Sequence, residues 1–138
     1  MMKSQRRAPE DWCGAEGYNY EILATLFTLI VAFLHFGFMV VEMFFWQHPI
    51  GQKMFDITAD FAAQTLFMAQ NQGLYNGFLV AGLLWGVITK KRDVIVFFLL
   101  CVIVAGIYGA VTVKPTIFVV QAVPAILALG FTMLAKRN

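Results

Sequence analysis

The sequence predicts an all-α integral membrane protein that folds as a single four-helix bundle. Of its 138 residues, 60% are hydrophobic and 13% are charged, which is too apolar for an ordinary soluble domain. It contains four apolar segments of about 20 residues, the length a helix needs to cross the hydrocarbon core of a bilayer. The segments cover approximately residues 22–45, 61–88, 94–113 and 116–134. We therefore expect a polar N-terminal tail over residues 1–21 and one transmembrane bundle over residues 22–138.

The lysines and arginines predict the orientation. With four spans, the N-terminus, the loop between the second and third spans, and the C-terminus all lie on one side of the membrane. Of the 10 Lys and Arg residues, only Lys53 and Lys114 fall on the other side. Because cytoplasmic segments carry such an excess, we expect both termini in the cytoplasm and the protein in the cell (inner) membrane. The net charge of +2 then reflects topology, so we expect the lipid bilayer, and not nucleic acid, as a partner.

The first span carries Thr28, His35 and Glu42 at successive spacings of seven, which returns them to one helix face. We expect His35 near the middle of the bilayer and Glu42 near its outer edge. For His35, we consider two interpretations equally: a neutral imidazole bonded to a neighbouring helix, and a catalytic residue. For Glu42, a buried functional acid competes with a carboxylate that reaches the interface or pairs with Lys53.

The second span combines a polar stripe with a run of glycines. Pro49 and Gly51 predict an outer loop before it, and Thr58 followed by Asp60 predicts the start of its helix. The stripe recurs every three or four residues and consists of Gln64, Met68, Asn71 and Tyr75, flanked by Gln72 and Asn76. Gly73 and Gly77 lie four residues apart on roughly the opposite face, and Gly82 and Gly86 repeat this spacing. Such small residues let helices approach closely, either inside the bundle or in a homodimer through these faces.

The third and fourth spans continue the polar pattern. Tyr108 shares a stripe of the third span with Cys101, Ala105 and Thr112, and the fourth span carries Gln121 ahead of Pro124, which we expect to kink it. At about 1.5 Å per residue, we expect Asn71, Gln72, Tyr108 and Gln121 at similar heights. The sequence therefore predicts a polar pocket that opens to the extracytoplasmic side or to the outer leaflet.

The expected pocket has two kinds of residues. Glu42 and His35 are the candidate catalytic acid and base, and they lie about 10 Å apart along their helix, which is too far to share one metal ion comfortably. We therefore expect no metal site, and no motif indicates a cofactor. The candidate substrate-binding residues are Asn71, Gln72, Tyr75, Asn76, Tyr108 and Gln121.

Two motifs together resemble a known family. Residues 35–44 (HFGFMVVEMF) and 71–78 (NQGLYNGF) are similar to a group of small four-span membrane proteins catalogued as domain of unknown function 1304. The resemblance covers roughly residues 22–134 and includes AGIYG at 105–109 and QAVPA at 121–125. Family members usually have a tyrosine where this chain has Gly37, and a much shorter N-terminal tail. The resemblance implies the four-helix fold and the polar site, but no activity.

Three functions fit these observations. The first is the binding or transport of a small lipophilic or cationic molecule, because an acid inside a membrane is a candidate functional site; transport by so short a chain would require a dimer. The second is an enzyme that carries out acid–base chemistry, such as isomerisation, on a lipophilic compound. The third is a structural or accessory subunit in which the polar groups hold the helices together.

Overall fold

The computed structural model describes residues 11–135, with side chains from Tyr18 onwards. Every regular element in this range is a helix, which confirms the all-α prediction. The elements are α1 (Asp11–Phe44), α2 (Pro49–Phe55), α3 (Ala59–Gln64), α4 (Leu66–Ile88), α5 (Arg92–Thr112), a π-helical stretch (Phe118–Ala122) and α6 (Val123–Leu134). The first ten residues of the expected tail and five of the basic residues, Lys3, Arg6, Arg7, Lys136 and Arg137, lie outside the described range.

Two parts of the chain are more helical than the sequence indicated. Residues 11–21, expected as tail, continue directly into the first apolar segment as one helix. The expected outer loop contains the short helix α2, because His48 caps it with a ring nitrogen and Pro49 stands in its first turn, where proline has no N–H to leave unpaired. Thr58 caps α3 by accepting a hydrogen bond from the N–H of Phe61 at 3.2 Å, as predicted, but the helix that begins there ends at Gln64 and the second span continues as α4 from Leu66.

Among the described helices, two are long and apolar enough to cross a membrane. They are Tyr18–Phe44, with a mean hydropathy of 2.2, and Arg92–Thr112, with a mean hydropathy of 2.9. Residues Phe118–Leu134 form a shorter apolar segment. α4 is 23 residues long, but the amides of Asn71, Gln72 and Asn76 lower its hydropathy. The polar residues that suggested a site in α4 are thus the same ones that lower its mean hydropathy, the property by which a membrane-spanning helix is recognised.

The four longer helical segments pack side by side. α1 lies against α4 and α6, and α5 lies against α4 and against the π-helical stretch with α6. Consecutive segments run antiparallel: Gly73 and Gly77 of α4 face Met43 and Met39 of α1, respectively. The first and last segments are antiparallel as well, because Phe27 of α1 contacts Phe131 near the end of α6, with ring centroids 5.3 Å apart. The core between them is built from Val31, Ala32, Leu83, Leu99, Val102, Ala125 and Ala128.

Glycine permits the closest of these helix approaches. A Cβ added to Gly106 would lie 3.0 Å from the backbone nitrogen of Ala122, and one added to Gly82 would overlap the ring of Phe98. Gly73 is enclosed in the same way by Met43 of α1. These glycine contacts lie within the chain, so the small residues serve the packing of its own helices.

The Lys90–Arg92 loop forms what we call the basic end of the bundle. Lys90 adopts a left-handed conformation with φ of 54°, and the N–H of Lys91 bonds to the carbonyl of Gly86 at 2.9 Å, which closes the end of α4. Arg92 donates hydrogen bonds to the carbonyls of Met133 at 3.1 Å and Ala135 at 3.3 Å. Its guanidinium thereby caps the last turn of α6, where a cation is favourable.

Candidate functional site

A carboxylate and an amide connect α1 and α4 inside the bundle. The Nδ2 atom of Asn76 donates a hydrogen bond to Oε2 of Glu42 at 2.7 Å. Both residues are buried, with 7% of Glu42 and 5% of Asn76 exposed. Loss of this bond would leave buried polar atoms without partners, which costs about 1–3 kcal/mol. The pair therefore fixes the rotation of α4 against α1 at this height.

Local sequence explains why Asn76 can reach Glu42. Asn76 follows Gly73 by three residues and directly precedes Gly77, so it lies on the glycine face of α4. Built Cβ atoms on the two glycines would lie 3.2 Å from Cβ of Glu42 and 3.0 Å from Sδ of Met39, respectively. The absence of side chains there brings α4 close enough to α1 for a short amide to bond the carboxylate.

A second pair connects α1 to the fourth helical segment. His35 is fully buried, and its Nδ1 lies 2.9 Å from the carbonyl of Val31. Since a carbonyl only accepts, Nδ1 carries the proton. The other ring nitrogen, Nε2, then accepts from the amide of Gln121 at 3.4 Å. Both nitrogens have partners, as expected of a neutral imidazole bonded to a neighbouring helix.

The π-helical stretch Phe118–Ala122 contains Gln121. Here the N–H of Val123 bonds to the carbonyl of Phe118, five residues back, and Pro124 follows without an N–H to continue the α-helical pattern. The wider turn adds a residue to the helix and changes the direction in which Gln121 points. The sequence predicted a kink at Pro124 but not this turn.

The two pairs lie at different heights. Glu42 and His35 are seven residues apart on one face of α1, which corresponds to about 10 Å along its axis. The Glu42–Asn76 pair lies near the end of the bundle that carries α2 and α3, and the His35–Gln121 pair lies deeper. The interior polar groups thus form two levels, as the seven-residue spacing of His35 and Glu42 implies.

The other candidate residues lie at the surface of the chain. The side chains of Asn71 and Gln72 are exposed, and those of Tyr75 and Tyr108 are 55% and 70% exposed. The structure thus brings Glu42 together with Asn76, and His35 with Gln121, and leaves four candidates on the outside of α4 and α5. The pattern of amides and glycines on α4 did not decide which of its two stripes faces α1.

The described residues contain no group of three or more His, Cys, Asp or Glu side chains arranged to hold a metal ion. Each interior pair instead combines one titratable side chain with one amide. Both pairs can therefore form hydrogen bonds, and Glu42 can in addition carry a negative charge or a proton.

Comparison with known proteins gives two matches. A family described as "Protein of unknown function (DUF1304)" matches residues 29–133, a range that contains both interior pairs. The chain is also 30% identical over 114 residues to "Uncharacterized protein YpaA" of Lactococcus lactis subsp. lactis (strain IL1403). That match covers 78% of this chain and 94% of the relative. No solved structure matches the chain.

Proposed function

We propose that this chain, which belongs to the DUF1304 family of proteins of unknown function, is a four-span membrane protein that binds or transports a small lipophilic or cationic molecule at Glu42 and Asn76. Both termini lie in the cytoplasm in this proposal, as the distribution of Lys and Arg predicts. The basic end of the bundle then faces the cytoplasm, and the Glu42–Asn76 pair lies in the outer half of the membrane.

The packing supports the membrane part of the proposal. Four helical segments lie side by side, and large apolar side chains point away from the core on every one of them, such as Phe33, Phe67, Val111 and Val119. In water such a surface would be unfavourable, whereas lipid tails solvate it. At the basic end, the ammonium group of Lys91 lies 5.6 Å from the centroid of the Trp85 ring in a cation–π contact, and both residue types are common at the headgroup level.

The observation that carries the binding part is the pairing of a buried carboxylate with a neutral amide. A carboxylate offers about four acceptor positions, and Asn76 occupies one of them. The amide cannot cancel the negative charge, and a charge removed from water is costly unless it is paired. A cationic ligand or a proton would supply the missing positive charge, and exchange of one for the other would couple binding to proton release.

The deeper pair has a structural role in this proposal. His35 has partners at both ring nitrogens and no exposed surface, so its hydrogen bonds hold α1 to the π-helical stretch. Its separation from Glu42 is too long for a shared acid–base step on one small molecule. Transport, if it occurs, requires more than the described helices of one chain, because alternating access usually needs two repeats.

Equilibrium binding of a dansyl-labelled primary alkylamine to protein in lipid nanodiscs tests this proposal. We expect saturable binding to the wild type and to Asp60→Asn, which removes an exposed carboxylate at the same end of the bundle. Glu42→Gln, which keeps the shape of the side chain and removes its charge, should lower the affinity at least about tenfold, as expected for a lost charge pair. Equal affinities of wild type and Glu42→Gln would refute the site.

A further inference from the structure

α4 and α5 pack against each other at the basic end of the bundle, but the same faces of the two helices are exposed at the opposite end. On α4, Gly82 packs on the ring of Phe98, while Tyr75 and Asn71 precede Gly82 by seven and eleven residues. Those spacings are two and three helical turns, so all three lie on one face. Tyr75 is 55% exposed and Asn71 is also exposed. This face of α4 therefore loses its neighbour within two turns.

The matching face of α5 shows the same change. Phe98 touches α4, whereas Ala105 and Thr112, seven and fourteen residues later on the same face, are exposed. Over these turns α5 packs against the fourth helical segment instead, because Gly106 contacts Ala122 and Gly109 faces Ile117. The loss of burial on both faces indicates that α4 and α5 separate as they leave the basic end, and we call the space between these faces the cleft.

The cleft is lined by polar side chains, and the carboxyl group of Glu42 lies behind those of α4. Tyr75 directly precedes Asn76, which holds Glu42, so the carboxylate lies just inside the α4 wall. On α5, the exposed phenol of Tyr108 lies one helical turn after Ala105. The outer edges of the cleft are apolar, with Phe78 on α4 and Val104 on α5 both more than half exposed. Phenols and amides at this depth are unfavourable against lipid tails alone.

We propose that the cleft between α4 and α5 is a lateral entrance through which a lipophilic ammonium compound passes from the bilayer to Glu42. Its alkyl part contacts the apolar edges, its N–H groups bond to the phenols and amides, and its charge pairs with the carboxylate. This inference rests on the proposed function and adds to it the route and the chemical class of the ligand.

The route is tested by obstructing the cleft without touching Glu42. In nanodiscs, stopped-flow association of the dansyl-labelled alkylamine is measured for Ala105→Trp and for Ile107→Trp. Ile107 is 47% exposed and lies within one turn of Ala105, but on the opposite side of α5, about 200° further round the helix. We expect association to slow at least about tenfold in Ala105→Trp and to be unchanged in Ile107→Trp. Ala105→Leu, a smaller obstruction at an exposed position, should give an intermediate rate.

The outcomes separate this inference from the proposed function. If wild type and Glu42→Gln bind the amine equally, the binding site itself is refuted, and the entrance with it. If Glu42→Gln loses binding but Ala105→Trp and Ile107→Trp associate equally fast, the site stands and the entrance is refuted. Disulfide-linked dimers of an Ala105→Cys variant lacking Cys13 and Cys101 would mean that a second copy fills the cleft, which also overturns the entrance.

Discussion

Asn76 on α4 and Glu42 on α1 are 34 residues apart in the chain and joined by a buried hydrogen bond of 2.7 Å. Replacing Asn76 by Ala leaves the carboxylate without this partner, and loss of one partner of a buried polar pair costs about 1–3 kcal/mol. We expect a lower free energy of unfolding in detergent. Gln72→Ala, an exposed amide one turn away on α4, should have little effect.

A double-mutant cycle separates the bond from general packing effects. If Glu42→Ala and Asn76→Ala act through the same bond, their effects on the free energy of unfolding should not add, and the coupling should be at least about 0.6 kcal/mol, the membrane average. Additive effects would contradict a direct bond between the two side chains.

Gly106→Leu tests the approach of α5 to the π-helical stretch. A Cβ at this position meets the backbone nitrogen of Ala122 at 3.0 Å, and backbone cannot rotate away as a side chain can. We expect a loss of about 1–3 kcal/mol, as for other overpacked sites. The matched control is Gly37→Leu, since a Cβ there meets nothing within 4 Å and leucine favours helix over glycine. Similar melting temperatures for both variants would contradict the packing described.

Arg92→Ala tests the contact between the basic end and the end of α6. The guanidinium bonds to the carbonyls of Met133 and Ala135, and the loss of these exposed or half-exposed bonds should cost about 1 kcal/mol. Hydrogen exchange should speed up in the last turn of α6. Lys90→Gly, at a left-handed backbone position in the same loop, removes a charge without strain and should leave exchange in α6 unchanged.

The proposed topology is tested by cysteine labelling in a background without Cys13 and Cys101. Single cysteines at Gln52 and at Lys90 should react with a membrane-impermeant maleimide from opposite sides of the membrane. In intact cells, only the Gln52 position should be labelled. Labelling of the Lys90 position from outside intact cells would contradict cytoplasmic termini.

The sequence predicted the positions of the helices well because hydropathy and helix breakers determine them locally. The apolar segments, the cap at Thr58 and the proline at position 124 all correspond to features of the structure. The short helix α2 was missed, although His48 followed by Pro49 is a pattern that favours a helix start. Its glycine, read as a helix breaker, instead packs against the backbone of Phe45.

The rotation of α4 could not be predicted from its own residues. Its amide stripe and its glycine stripe both suit a helix interface, and only the packing against Met39 and Met43 of α1 decides between them. Asn76 belongs to the glycine stripe, three residues after Gly73, and this spacing was the available signal. The π-helical stretch was beyond prediction because nothing in residues 118–122 distinguishes a turn of five residues from an α-helical turn.

Native mass spectrometry of protein released from its own membranes tests the central claim, a ligand held at Glu42, most directly. We expect wild type and Asp60→Asn to retain a small basic compound as a bound mass, and Glu42→Gln to lose it while keeping the same charge-state distribution of a folded protein. Spectra of wild type and Glu42→Gln that show the same bound masses, or none in either, would contradict the claim.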